Sequence, residues 1–363
     1  MWQGCRTTVK DKKVKGFQKN NQYKWLNGSG ELPDIVISSR VRLARNLSNY
    51  KFVRCLSYEK LREIISKVLG VIKDNDFFIN YHHIDLASVE ELEREVLREN
   101  HIISYEFSKN YENRLVVIGE DSCISIMINE EDHIRLQCLS SGLQLNDAWD
   151  RANELDTVLD EELDYAFSPD LGFLTACPTN TGTGMRASVM LHLPGLALSG
   201  DINNVLNSLS PYSLAIRGYY GEGTDFIGDL YQISNGITLG KKEEEFIETI
   251  DKITREIVQY EYDARENIFS KNRNMVEDKI YRAYGVLLNS RSIDSIESVK
   301  MISLIRLGIY YKLFKGINCS EINALFVKTQ PAHLQKIEGK LLDPQERDVI
   351  RSNYIRQWLN SLN

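Results

Sequence analysis

Ser122-Cys123-Ile124-Ser125-Ile126-Met127-Ile128-Asn129-Glu130-Glu131-Asp132-His133-Ile134-Arg135 is an apolar run that breaks into an acidic turn and resumes on an arginine. Segments 122–128 and 134–139 read as consecutive buried strands, the hairpin-like order of an antiparallel sheet. Ninety residues on, Leu214-Ala215-Ile216-Arg217-Gly218-Tyr219-Tyr220-Gly221-Glu222-Gly223 repeats the arrangement, with an arginine and an acid at the mouth of an apolar segment. Such groups are expensive to bury and useful to chemistry. Either segment alone reads equally well as a structural salt bridge.

Two further segments favour chemistry. In Ser38-Ser39-Arg40-Val41-Arg42-Leu43-Ala44-Arg45, Arg40 and Arg42 share a face if the segment is a strand, because side chains alternate with period two. Cys177-Pro178-Thr179-Asn180-Thr181-Gly182-Thr183-Gly184-Met185-Arg186 is a polar, glycine-containing loop ending on another arginine. Arg40, Arg42, Arg135, Arg186 and Arg217 together form a candidate clamp for a polyanion such as a nucleotide triphosphate, since a guanidinium is permanently charged and offers a planar fork of donors. No G-x-x-x-x-G-K-[ST] loop is present; Gly236-Ile237-Thr238-Leu239-Gly240-Lys241-Lys242 has the wrong spacing. H-R-D and D-F-G motifs are also missing.

With these segments (Ser38–Asn46, Asn129–Arg135, Cys177–Pro194 and Arg217–Gly240) the chain resembles the ATP:guanido phosphotransferase family, which includes creatine and arginine kinases. Within it the chain looks most like the bacterial protein-arginine kinases. Metabolite-directed members carry a helical domain before the S-S-R-V-R motif and none at the end. Here 37 residues precede Ser38 and helical texture follows the core. The resemblance implies an α+β antiparallel sheet flanked by helices, ATP with Mg²⁺ as co-reactant, and no dedicated metal site. It implies that Glu131 and Glu222 grip the guanidinium and that the five arginines hold phosphates. His101 would stack on adenine, and Cys177 would lie beside the guanidino substrate, although Cys177 also reads as a small buried residue at a strand end. The implied activity is transfer of the ATP γ-phosphate to protein arginine, marking substrates for Clp-type proteolysis in protein quality control, with a small zinc-binding activator and a homodimer. A kinase of free arginine or another small guanidino metabolite and a silent phosphoarginine-binding adaptor remain open alternatives. Near the C-terminus, Glu346-Arg347-Asp348-Val349-Ile350-Arg351-Ser352 matches a family R-D-x-x-R-A motif that forms an allosteric phosphoarginine pocket, implicating Arg347, Asp348 and Arg351. Ser352 stands where the motif has Ala, and the bland reading is a solvated helix with local ion pairs.

Composition sets outer bounds. Hydrophobic residues make up 42% and charged residues 26% of 363, ordinary for a globular protein. A net charge of −7 argues against non-specific nucleic-acid binding. Six cysteines form no C-x-x-C pair, pointing to a reducing, cytoplasmic setting. No apolar leader or membrane span is expected. His82-His83 is not expected to hold metal, because adjacent residues of a strand point apart. Residues 1–24 read as a basic leader, 25–243 as the catalytic domain and 244–363 as a helical domain. Helices are expected at Leu61–Val71, at Leu86–Glu99 (with a capping box from Ser88), over 142–163, and at Met275–Leu288, Ile296–Phe314 and Glu346–Leu359. Phe246, Ile250, Ile253 and Ile257 recur at helical spacing. Further strands are expected near 115–118, 172–176, 187–193, 213–217 and 229–233.

Overall fold

The computed structural model describes residues 24–218 and 226–361. Its strands are β1 (Val36–Arg45), β2 (His82–Asp85), β3 (Leu115–Ile118), β4 (Ile124–Ile128), β5 (Ile134–Ser141), β6 (Phe167–Ser168), β7 (Gly172–Phe173), β8 (Met185–His192), β9 (Leu214–Gly218) and β10 (Leu230–Asn235). Eight of them form one sheet in the order β2-β3-β4-β5-β1-β8-β10-β9. Every neighbouring pair is antiparallel. The fold is α+β, as expected.

The period of two sorts the sheet into unlike faces. Val41 and Leu43 of β1 pair with Cys138 and Leu136 of β5 and with Ala187 and Met185 of β8. These side chains form the main apolar core with helices Tyr58–Asp74 and Leu145–Asp160 and with the first half of helix Glu243–Asn289. Arg45 belongs to this face too, and it is neutralised there by Asp156 at 2.7 Å. The opposite face carries Arg40 and Arg42. Two smaller apolar clusters flank it. One gathers Leu97, Ile102 and Phe107 over Val116 and Met127. The other gathers Trp25, Leu26 and the C-terminal helices over Leu139 and Leu230.

The expected strands 122–128 and 134–139 are present as β4 and β5. β4 starts two residues late, because the Asp121 carboxylate accepts from Cys123 N at 2.9 Å and Ser122 takes φ 57°. The strand near 172–176 is cut to Gly172–Phe173, since Ala176 N leaves the ladder to bond Asp132. The capping box from Ser88 does not form. Asp85 instead caps a single turn, Leu86–Ser88, and the Ser88 hydroxyl donates to Asp85 O, so the helix begins anew at Glu91. Met275–Leu288 is the distal part of the 47-residue helix Glu243–Asn289, interrupted at Asn272 (φ −137°, ψ 43°). The last helix, Pro344–Asn360, opens with Pro344 at its start and a reciprocal cap between Asp343 and Glu346. Helices Tyr105–Lys109, Pro194–Ser199, Ile202–Ser208, Cys319–Lys328 and Pro331–Glu338 were not anticipated. No helix among the described residues is long and apolar enough to cross a membrane.

One buried ion pair ties the long helix to the sheet. Glu261 and Arg265, both fully buried, meet at 2.6 Å. The Glu261 carboxylate also accepts from Gly195 N and Leu196 N at 2.8 and 2.9 Å, and Arg265 donates to His192 O. A Cβ at Gly195 would lie 2.8 Å from Arg265 Cγ, so only glycine fits there. Glu261→Leu leaves Arg265 as an uncompensated buried cation. Urea titration is expected to show a stability loss of about 3–5 kcal/mol, and an unchanged midpoint would show that the pair is dispensable.

Candidate functional site

Directly paired residues of an antiparallel sheet project to the same side. Arg42 pairs with Arg186 of β8 and with Gln137 of β5. Arg40 pairs with Ser188, Ala44 with Arg135, and Gln232 with Arg217. Register alone therefore gathers all five arginines expected of the clamp onto one face. Arg40, Arg42 and Arg217 line a cleft of about 300 Å³ together with His101, Ser188 and Gln232. Arg135 and Arg186 stand close enough to raise the electrostatic energy of Arg40 and Arg42.

Burial, and then repulsion from Arg135, Arg186 and Arg217, lowers the Arg40 pKa to about 10. Burial and the same kind of repulsion lower that of Arg42. The Nε atoms of both are buried with no hydrogen-bond partner among the described residues. Crowded cations with unused donors are costly in the absence of an anion, and this is the electrostatic form of a polyanion site.

The acidic turn is built as a rigid corner. Asn129 adopts φ 65°, a conformation asparagine tolerates, and its side chain donates to Leu61 O and Asn113 O. Glu130 faces the arginines. Burial would raise its pKa, but Arg135 at 2.6 Å and the Ser104 hydroxyl outweigh this and hold it at about 2. Glu131 differs. It is half-buried and makes no side-chain hydrogen bond or ion pair among the described residues, and burial followed by repulsion from Asp132 and Glu130 raises its pKa. Of the three acids of the turn, Glu131 alone has its carboxylate uncommitted to any partner among the described residues. Asp132 is buried and accepts from Asn46 Nδ2 at 2.6 Å and Ala176 N at 2.7 Å. Asn46 Oδ1 in turn accepts from His133 N at 3.0 Å. The His133 ring accepts at Nδ1 from Leu47 N, so its Nε2 donates to Lys51 O.

Cys177 follows Ala176 directly, so the Asp132 bond fastens its loop to the acidic turn. The Cys177 thiol is half-exposed and lies 3.0 Å from Thr179 Oγ1. Glu222, expected as the second carboxylate, lies outside the described residues, just past the end of β9. His101 follows helix Glu91–Glu99 with φ 58°. Its ring meets Trp25 edge-on at 5.2 Å. Burial, then Arg40 and Arg98, pushes its pKa down to about 3, so the imidazole is neutral at pH 7. Arg347, Asp348 and Arg351 do not line the cleft. Arg351 is buried and donates to Thr329 O, Ile293 O and Asp348 at 2.9, 2.8 and 2.6 Å. Ser352 Oγ donates to Ser290 O at the end of the long helix, a bond that alanine cannot make.

Several residues of the site escaped the sequence reading. Asn46 and Asp132 lie inside the motifs, but only the fold shows them joining two loops. Trp25, Glu99, Phe326, Val327 and Gln330 also line the cleft. They come from segments far apart in sequence, and nothing in their spacing marks them. Among the described residues no cluster of three or more metal-ligating side chains occurs.

Comparison with known proteins fits this geometry. Residues 60–264 match the model for the ATP:guanido phosphotransferase C-terminal catalytic domain. Residues 273–363 match the protein-arginine kinase McsB C-terminal domain. The chain is 44% identical over 341 residues to a protein-arginine kinase of Pelotomaculum thermopropionicum, covering 93% of this chain and 96% of that one. It is 43% identical to one of Halothermothrix orenii, covering 96% and 99%. Among solved structures, lombricine kinase superposes with a TM-score of 0.58 at 24% identity, over 69% of this chain and 75% of that one. The duplicated taurocyamine kinase of Schistosoma mansoni superposes with 0.59 at 23% identity, over 66% of this chain and 34% of that one.

The crowding of cations leads to a test with opposite signs. Arg42→Ala removes one repelling charge, so the unliganded protein is expected to melt no lower than wild type. Wild type should gain about 2.7 kcal/mol at a tripolyphosphate concentration of 100 Kd, and the variant should lose most of that gain. Equal gains in both proteins would show that the polyanion binds elsewhere.

Proposed function

The chain belongs to the ATP:guanido phosphotransferase family, and we propose that it transfers the γ-phosphate of ATP to arginine side chains of proteins. One observation carries the choice of acceptor. Protein-arginine kinases match 93% and 96% of the chain, and the C-terminal helices match the C-terminal domain of a protein-arginine kinase over residues 273–363. The lombricine and taurocyamine kinases match 69% and 66%.

An arginine guanidinium has a pKa of about 12.5–13.8, so deprotonating it outright at pH 7 costs roughly 8 kcal/mol. The site avoids that step. Glu131, with Glu222 as its partner, orients the substrate guanidinium and aims one nitrogen at the γ-phosphorus. As the N–P bond forms, the bond from phosphorus to the bridging β–γ oxygen breaks. The proton lost by nitrogen passes to Glu131, whose raised pKa suits it to receive one. The five arginines neutralise the charge that spreads over the phosphoryl oxygens and the departing ADP. His101 lies beside the base, and Cys177 beside the acceptor. Mg²⁺, held mainly by nucleotide oxygens and water, would supply further neutralisation of the phosphates.

The finer assignments follow the family reading. Residues 25–243 form the catalytic domain and 244–363 the helical domain, while the basic leader 1–24 falls almost wholly outside the described residues. Phosphorylated proteins pass to a Clp-type protease, a small zinc-binding protein activates the kinase, and the helical domain pairs in a homodimer. The five described cysteines are free thiols, which supports a cytoplasmic setting. Arg347 and Asp348, both half-buried, form a regulatory phosphoarginine pocket with Arg351, whose guanidinium meets Asp348 at 2.6 Å.

Two experiments test these assignments. ATP and an unfolded protein, followed by mass spectrometry that preserves acid-labile P–N bonds, should reveal phosphoarginine, and Glu131→Gln should lower kcat by about 10²–10⁴. Phosphate found only on added free arginine, or a variant within threefold of wild type, would overturn the reading. Added phosphoarginine should change wild-type activity by roughly 5–150-fold. Asp348→Ala should abolish that response, and an equal response in both proteins would reduce this face to an ordinary helix surface.

A further inference from the structure

One wall of the cleft comes from the C-terminal helices, and the chemistry above makes no use of it. We propose that Phe326, Val327 and Gln330 bind the nucleotide base, so that the helical region completes the ATP site and is held in place by ATP. This rests on the ATP reading and extends it.

The direction of the cleft supplies the first argument. Along β1 the order leading away from the acidic turn is Arg42, Arg40, Ser38. A triphosphate lying on the arginines with its γ-end at the turn therefore points its nucleoside toward Ser38 and its partner Met190. Beyond Arg40 the lining turns apolar, with Leu139 from the sheet, Trp25 from the N-terminal side, and Phe326 and Val327 from helix Cys319–Lys328. A flat aromatic ring buries well between such walls. The Gln330 amide, whose Nε2 donates to Phe326 O at 2.9 Å, carries the donor and acceptor chemistry that the polar edge of a base takes.

The second argument is that this wall is seated from two sides. Glu99 lines the same cleft, is buried, and accepts from Ala332 N at 2.9 Å, His333 N at 3.0 Å and the His333 ring at 2.7 Å. Pro331 lacks an N–H, so the carboxylate takes the first two amide donors that helix Pro331–Glu338 has to offer. From behind, Arg351 Nε holds Thr329 O at 2.9 Å. Gln330 thus sits between two fixed points, Thr329 O held from behind the wall and the Ala332 and His333 amides held by a cleft residue. A ligand that packs against it must couple to the seating of these helices, and the coupling is reciprocal.

ADP and tripolyphosphate separate the base from the phosphates. In hydrogen exchange on the full chain, ADP is expected to slow the amides of Cys319–Glu338, including those of Ala332 and His333, whereas tripolyphosphate is not. Gln330→Ala should weaken ADP about tenfold and leave tripolyphosphate affinity unchanged. Equal protection by both ligands, or unchanged ADP affinity in the variant, would overturn the inference. If neither ligand binds wild type, the ATP reading fails and takes the inference with it. If ADP behaves as expected but no protein arginine is phosphorylated, the acceptor assignment fails and the inference stands.

Discussion

The alternation of side chains along β1 is the constraint on which the molecule depends. Ten residues pass through the middle of the sheet, and every second one must face away from its neighbours. Val41 and Leu43 enter the main core, while Arg40 and Arg42 enter the cleft. A shift of one residue would exchange the two sets, placing guanidiniums in hydrocarbon and valine in the anion site. The depth of the apolar core therefore fixes the arginines. Their mutual repulsion is tolerated because the buried apolar side chains of the other face hold the register.

The same alternation explains why so much of the site was legible. Strands that carry apolar residues on one face and functional ones on the other declare both at once, and the arginines of β1, β5, β8 and β9 could be grouped before any contact was known. The reading weakened where local groups compete for backbone partners. Ser88 had the right spacing for a capping box, yet Asp85 captured the turn first. Residues 174–176 carry strand-like side chains, yet Ala176 is drawn to a carboxylate more than forty residues earlier in the chain. The Trp25, Glu99 and Gln330 wall was illegible for another reason. Each residue is ordinary in its own segment and acquires meaning only from packing between distant helices.

Asp132 shows how one buried carboxylate can serve two loops. It takes its donors from Asn46 and Ala176, while Asn46 uses its own oxygen on the backbone of the acidic turn. The end of β1, the acidic turn and the loop before Cys177 are thereby held as one body. A buried acid is costly unless its hydrogen-bonding capacity is met, so displacing any one of the three loops penalises the other two.

Helix Glu243–Asn289 has a consequence for how the molecule comes apart. Its first half supplies Phe246, Ile250 and Ile257 to the core beneath the sheet, and its second half supplies Ala283 and Leu287 to the core of the C-terminal helices. Neither core can melt alone without stripping an apolar stripe from a rod that the other still holds. Asn272, the single departure from helical geometry, kinks the helix between its two halves. The sheet and the helical region are thus bound into one cooperative unit of opening, joined both by this kinked helix and by the apolar seam that packs the C-terminal helices over Leu139 and Leu230.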